Sequence, residues 1–194
     1  MNKNIFFGLG LFTLFGFSAI GWAIIYFFID VPFGLVFHHG VNIALQIPLG
    51  LAYGAITGWL GWLLIKSKIL TETRKFYAGV IAELDLNIHE IIFISFCAGV
   101  GEEILFRAAV QYYLGIWLTA ILFVAVHGYL NPKNWRISIY GGFMTLVIAG
   151  VGFLFDYLGL VSAISAHFAI DVVLLWFLTN EKEKEKIGIT KGAE

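Results

Sequence analysis

The sequence predicts an all-α, polytopic membrane protein with about six transmembrane helices, the last four of which enclose a polar cavity. Three observations predict this fold. Of the 194 residues, 60% are hydrophobic and only 13% are charged, against about 25% charged in soluble domains. The apolar residues form runs long enough to cross a bilayer, and the basic residues are confined to alternate connections between those runs.

A helix needs about 20 apolar residues to cross the roughly 30 Å hydrocarbon core of a bilayer, and six runs approach that length. They are residues 5–29, 41–65, 91–114, 116–130, 137–155 and 158–178. The first run is longer than the 7 to 15 or so apolar residues of a signal peptide, so it is predicted to remain as a span. The fourth run is short, and a tight turn near Gly115 joins it to the third.

The Lys and Arg residues support this count. They lie before the first run and in every second connection after it, and Arg107 is the only basic residue inside a run. By the positive-inside rule, this pattern predicts a multi-pass protein of the cell membrane with both termini in the cytoplasm. The net charge is only -1 and the basic residues form no continuous stripe, which argues against a nucleic-acid partner. The expected surroundings are the lipid bilayer.

The chain is expected to form a single integral-membrane domain over residues 1–194, with a core of functional motifs at about 89–179 and a flexible charged tail at about 180–194. In the second run, Gly50, Gly54 and Gly58 form a ridge on which another helix can pack closely. Residues 74–90 are predicted to form an amphipathic helix at the membrane surface, whose acidic residues form a solvated face.

Residues 98–107 place three charged side chains in the third run: Glu102, Glu103 and Arg107. A charge near the bilayer centre costs about 2.5 to 3.5 kcal/mol on insertion scales, so such residues indicate a functional site. Glu103 and Arg107 are four residues apart and can pair on one helical face. Glu102 lies roughly 100° around the helix, which leaves its carboxylate free to react.

Three more ionisable residues lie in the later runs: His127 in the fourth, and His167 with Asp171 in the last. With alternating spans and a rise of about 1.5 Å per residue, Glu102, His127 and Asp171 can meet near the middle of the membrane. A shared polar cavity is the simplest way to satisfy all of them. A carboxylate and an imidazole around one water supply a general base and then a general acid for amide cleavage. A single membrane histidine is as easily a packed core residue, and the same groups would also suit a proton relay.

The sequence Glu102-Glu103-Ile-Leu-Phe-Arg107, followed by Phe123-Val-Ala-Val-His127 and His167-Phe-Ala-Ile-Asp171, resembles the three motifs of the CPBP family. This family contains CAAX proteases and bacteriocin-processing enzymes and is also called the Abi family. The resemblance covers residues 98–171, with the motifs in the same order and spacing.

The resemblance implies an intramembrane endopeptidase of the glutamate type that acts on a membrane-associated protein or peptide. Glu102 and His127 would activate water, while His167 and Asp171 would line the oxyanion side. Glu103 and Arg107 would hold the catalytic helix or contact substrate, and Phe123 is grouped with them as a positioning residue.

No cofactor is expected, and we favour a metal-free mechanism. If a metal were bound, Glu102, His127 and His167 would be its ligands. The alternative is a non-catalytic protein of the same fold, such as a proton-coupled transporter or an immunity or partner-binding protein.

The last motif position departs from the prenyl-protein proteases that the chain resembles, which carry Asn where this chain has Asp171. An ionised Asp would repel an oxyanion, so Asp171 is either protonated in its apolar site or orients His167 instead. This difference argues against a CAAX substrate more than it argues against proteolysis.

Overall fold

The computed structural model describes residues 2–29 and 32–191, with the side chains of Phe76, Ala82 and residues 181–191 outside that description. Within these ranges every regular element is helical and none is a strand. The predicted all-α class is therefore confirmed.

Besides a short 3-10 helix at Lys68–Leu70, the described residues form eight longer helices in order. They are α1 (Lys3–Ile29), α2 (Phe33–His38), α3 (Ile43–Ile65), α4 (Thr71–Leu84), α5 (residues 88–114), α6 (residues 116–126), α7 (Trp135–Leu158) and α8 (Leu160–Lys191). Stretches of wider, π-helical winding interrupt α1 and α5, and the one in α5 spans Ile104–Val110. The helix α8 extends to Lys191 and so continues into the predicted flexible tail, whose residues 192–194 lie outside the described residues.

Five helical segments of the described chain are long and apolar enough to cross a membrane, which identifies a multi-pass membrane protein. One of them, Ile88–Val126, contains both α5 and α6, because Gly115 breaks the helix with φ 67° and ψ 175°. The helix α6 therefore rises only about 16 Å, well short of the roughly 30 Å hydrocarbon core. The predicted fourth run thus forms a short limb that ends at Val126 rather than at residue 130.

The glycine ridge of α3 packs on α8 as predicted. A Cβ atom on Gly50 would collide with the Ser162 carbonyl, and one on Gly54 would collide with the Ala166 carbonyl. These are close backbone approaches that only glycine allows, which is the arrangement expected where small residues drive helix packing in lipid. The contact fixes α8, and with it His167 and Asp171, against α3.

The predicted amphipathic helix is α4, which ends at Leu84, and Asp85 then turns the chain in the left-handed conformation with φ 45°. Asn87 and Glu90 form a capping box at the start of α5. Glu90 also pairs with Lys3 at 2.7 Å, which ties α1 to α5. Glu90 was expected on a solvated face, where 21% of its side chain is exposed; the sequence analysis did not predict that it also caps one helix and anchors another.

Candidate active site

Glu102 and His127 face each other across the α5–α6 hairpin. Nε2 of His127 lies 3.4 Å from Oε2 of Glu102. An unbroken helix would separate residues 102 and 127 by about 37 Å, so the reversal at Gly115 is what brings them together. Oε2 of Glu102 is buried and has no hydrogen-bond partner among the described residues. The two residues therefore meet as predicted. The oxygen that faces His127, Oε2 of Glu102, is the same one that lacks a hydrogen bond to the described residues.

The His127 ring is held in a defined orientation. Its Nδ1 lies 2.7 Å from the carbonyl oxygen of Phe123, and since a carbonyl only accepts, Nδ1 donates. Nε2 is thereby directed at Glu102. The Phe123 ring stacks on the imidazole at a centroid distance of 4.3 Å and an angle of 21°. A third of the side chain of His127 (33%) is exposed, so the ring is accessible to a reactant.

Glu103 connects the first and last motifs. Its Oε2 accepts a hydrogen bond of 2.9 Å from Nε of Arg107, as the four-residue spacing predicts. Its Oε1 lies 2.7 Å from Nδ1 of His167. Glu103 and Arg107 are completely buried and His167 is 4% exposed. A buried carboxylate is tolerated when it is paired and hydrogen-bonded, and here both partners are present.

His167 and Asp171 lie next to each other on α8, with Nε2 of His167 3.6 Å from Oδ2 of Asp171. Both ring nitrogens of His167 therefore face carboxylates, Glu103 on one side and Asp171 on the other. The Asp171 side chain is 30% exposed, while that of His167 is 6% exposed. Asp171 is thus the more exposed residue of this motif.

Asp171 lies in the wall of a cavity of about 280 Å³. The wall is mostly apolar and includes Ala98, which precedes Glu102 by one helical turn. It also draws on residues outside the last four predicted spans, among them Phe6 of α1, Ile65 of α3 and Tyr77 of α4. The cavity therefore extends from Asp171 to residues of α4, and Glu102 and His127 are not among the residues that line it.

Two polar residues at the site were not singled out from the sequence. Gln111 accepts a hydrogen bond of 3.1 Å from Nη1 of Arg107 and donates one of 2.9 Å to Asp156. A signal existed for Gln111, because positions 103, 107 and 111 continue the four-residue spacing on one helical face. No comparable sequence signal existed for Asp156, because it lies near the end of α7 in a stretch without a motif.

If a metal were bound, its predicted ligands would be Glu102, His127 and His167. In the described chain, no group of three His, Cys, Asp or Glu side chains is arranged to hold a metal ion. The second ring nitrogen of His167 faces Asp171 rather than the Glu102 and His127 pair. The structure therefore does not assemble that ligand set.

Residues 85–173 match the model of a family described as type II CAAX prenyl endopeptidase, Rce1-like. The match contains all three motifs and is consistent with the CPBP family, so the resemblance read from the sequence is confirmed. The uncharacterized protein YpbD of Bacillus subtilis (strain 168) is 33% identical over 88 residues. These residues are 45% of this chain and 44% of YpbD, so the match spans less than half of either protein. No solved structure matches the chain.

Proposed function

We propose that the protein is an intramembrane endopeptidase of the glutamate type that hydrolyses a peptide bond in a membrane-associated protein or peptide. The observation that carries the proposal is the 3.4 Å contact between Nε2 of His127 and Oε2 of Glu102, a buried oxygen that makes no hydrogen bond to the described residues. The family of the matching segment is one of CAAX prenyl endopeptidases, which supports a CAAX-type cleavage.

In the proposed reaction, a water molecule between Glu102 and His127 gives up a proton to this pair as its oxygen adds to the scissile carbonyl. The same proton then passes to the leaving amine, so that the pair acts first as base and then as acid. The Phe123 carbonyl keeps Nδ1 of His127 as a donor, which leaves Nε2 as the nitrogen that handles the transferred proton.

The oxyanion formed at the carbonyl would be stabilised from the side of His167. Its imidazole lies between the carboxylates of Glu103 and Asp171, a setting that favours N–H groups on both ring nitrogens. Asp171 in this scheme orients His167 and does not itself contact the oxyanion. Fixed donors aimed at developing charge are worth a factor of about 10² to 10³ in rate.

The cavity supports the choice of a membrane-associated substrate. Its largely apolar wall would accept an aliphatic or lipid-bearing segment, while Asp171 marks the end nearest the reacting groups. With both termini cytoplasmic, α4 and the cavity beneath it would face the cytoplasm, and the substrate would enter from that side of the cell membrane.

The test is cleavage of an internally quenched, farnesylated peptide with a CAAX-type C-terminus by the purified full-length protein in detergent, without any ion gradient. We expect wild-type protein to cleave it and Glu102→Gln to lower kcat by a factor of about 10² to 10⁴, the range for general acid–base catalysis. Glu90→Gln is the matched control, because it removes another glutamate of the same helix that pairs with Lys3 far from His127.

The same assay distinguishes the mechanisms. Cleavage that persists with EDTA and 1,10-phenanthroline supports the metal-free reaction, whereas loss of activity with chelators and recovery with zinc would contradict it. Equal activity of Glu102→Gln and wild type would reject the glutamate mechanism. Absence of cleavage by wild-type protein, both of this peptide and of any membrane protein compared by terminal proteomics with Glu102→Gln cells, would reject proteolysis.

A further inference from the structure

We infer that Gln111 and Asp156, which lie outside the three motifs, are positioning residues for both catalytic histidines. The inference rests on the proposed peptidase function, since it assigns these residues to that active site. It is carried by a chain of hydrogen bonds that runs from Asp156, near the end of α7, through Gln111 and Arg107 to Glu103 and His167.

The chain of hydrogen bonds has one consistent direction. A guanidinium only donates, so the Gln111 amide must turn its Oε1 to Nη1 of Arg107, at 3.1 Å. Its Nε2 then donates to two acceptors, the Gly152 carbonyl at 3.2 Å and Oδ1 of Asp156 at 2.9 Å. Every polar atom of the Gln111 side chain is thus engaged, and the amide cannot be flipped without placing donors against a guanidinium.

The fit around Gln111 is close. The residue is 5% exposed, and a Cβ atom on Gly152 would lie 2.7 Å from its Oε1 and 3.0 Å from Ile116. The glycine therefore leaves the space that the amide occupies between α5 and α7. Asp156, by contrast, is exposed, so the chain of hydrogen bonds begins at the surface and ends in the core.

Arg107 connects Gln111 to both histidines, in each case through one intervening side chain. Its Nε fixes Glu103, whose second oxygen holds Nδ1 of His167. Its guanidinium carbon also lies 5.7 Å from the centre of the Phe123 ring, which stacks on His127. Since an arginine side chain keeps its proton in proteins, the network cannot conduct protons, and its role is orientation.

Arg107 also shows why a further support is needed. Its Nη2 is buried without a hydrogen-bond partner in the part of the chain that the structure describes. Of the Arg107 nitrogens, only Nε donates a hydrogen bond to Glu103. Among the described side chains, Gln111 is therefore the one hydrogen-bond acceptor for the terminal nitrogens of the guanidinium. Loss of Gln111 would free the guanidinium to tilt, and the ring of Phe123 and the carboxylate of Glu103 would follow.

The test measures kcat and KM separately on the quenched farnesylated peptide, with the folded fraction of each variant checked by thermal unfolding in detergent. Gln111→Leu is expected to lower kcat by about tenfold to a hundredfold, the usual effect of removing a supporting residue, with KM nearly unchanged. Gln46→Leu is the matched control. Gln46 is as buried as Gln111 and also bridges two elements, bonding to Val41 and Ser162, but it lies outside the network.

A swapped pair provides the rescue. Gln111→Glu keeps an acceptor for Arg107 but turns a carboxylate towards Asp156, so it should lower kcat. Adding Asp156→Asn restores an N–H donor opposite the new carboxylate, and the double variant should recover to within a few-fold of wild type. If Gln111→Leu does not fold, Asp156→Ala at the exposed end should still lower kcat with KM nearly unchanged.

Two results would overturn the inference while leaving the peptidase in place: a kcat for Gln111→Leu no lower than for Gln46→Leu, or a double variant no better than Gln111→Glu alone. A fall in kcat with recovery in the double variant supports it. If wild-type protein shows no cleavage that depends on Glu102, the proposed function fails first, and the inference falls with it.

Discussion

Oε1 of Glu103 lies 2.7 Å from Nδ1 of His167, although 64 residues separate the two along the chain. The contact joins α5 to α8 inside a region where neither residue is open to solvent. Glu103 also holds Arg107 with its other oxygen, so one carboxylate balances a buried cation and orients the imidazole of His167.

Replacing Glu103 by Gln should therefore destabilise the protein strongly. The change leaves the guanidinium of Arg107 buried without its counter-charge, and breaking a buried pair in this way costs about 3 to 5 kcal/mol. The measurement is unfolding in detergent followed by circular dichroism. Glu72→Gln is the control, because Glu72 and Lys75 pair at 3.2 Å on the surface with side chains 70% and 63% exposed, and such pairs contribute about 0 to 1 kcal/mol. Equal stability of the two variants would contradict the role of Glu103.

The charged residues of the candidate site could be identified from the sequence, whereas most of the residues that line the cavity could not. Charge inside an apolar run is costly, so Glu102, Glu103, Arg107 and Asp171 stand out in any reading of the chain. The Glu103 and Arg107 pair also follows from helical spacing alone. The partner of Glu103 across the bundle, His167, does not follow from spacing, because it depends on how α8 rotates against α5.

The parts that could not be predicted depend on tertiary packing. The reversal at Gly115 and a short fourth run were expected, but the end of α6 at Val126 rather than at residue 130 depends on the turn at His127. Phe6 and Tyr77 in the cavity wall are apolar residues among many others, and only the packing of α1 and α4 selects them. Asp156 resembles any polar residue near a helix end until its bond to Gln111 is seen.

Phe123→Leu should lower kcat by about twofold to tenfold, because it removes the ring that stacks on His127 at 4.3 Å, and aromatic pairs are worth about 0.5 to 1.5 kcal/mol beyond burial. The carbonyl of residue 123 remains, so Nδ1 of His127 keeps its acceptor and the loss reports on the ring alone. The measurement is kcat on the quenched peptide. Phe153→Leu is a suitable control on α7, where the ring is 39% exposed and stacks on Tyr157. An unchanged kcat in folded Phe123→Leu would show that the stacking has no catalytic role.

Gly54→Ala should destabilise the protein by about 1 to 3 kcal/mol, the usual cost of overpacking. The new methyl group would collide with the Ala166 carbonyl and force α3 and α8 apart. Gly142→Ala in α7 is the control, since no atom of the described residues lies within 4 Å of its Cβ position and alanine is preferred over glycine in a helix. Thermal unfolding of both variants tests the prediction, and it fails if Gly54→Ala unfolds at the same temperature as Gly142→Ala.

Asp171→Asn should retain most of the activity, whereas Asp171→Leu should lower kcat by about 10² or more, as the loss of an oxyanion-side group does. The reason is geometric: Oδ2 of Asp171 lies 3.6 Å from Nε2 of His167, so its proposed task is to accept from that ring. An Asn side chain keeps an acceptor oxygen at this position, and its amide can also donate to the oxyanion. A leucine side chain can do neither.

Asp85→Asn, at an exposed turn that asparagine tolerates, controls for the removal of an acidic group. If Asp171→Asn is as inactive as Asp171→Leu while both remain folded, the negative charge itself is required, and a hydrogen-bond acceptor for His167 is not sufficient.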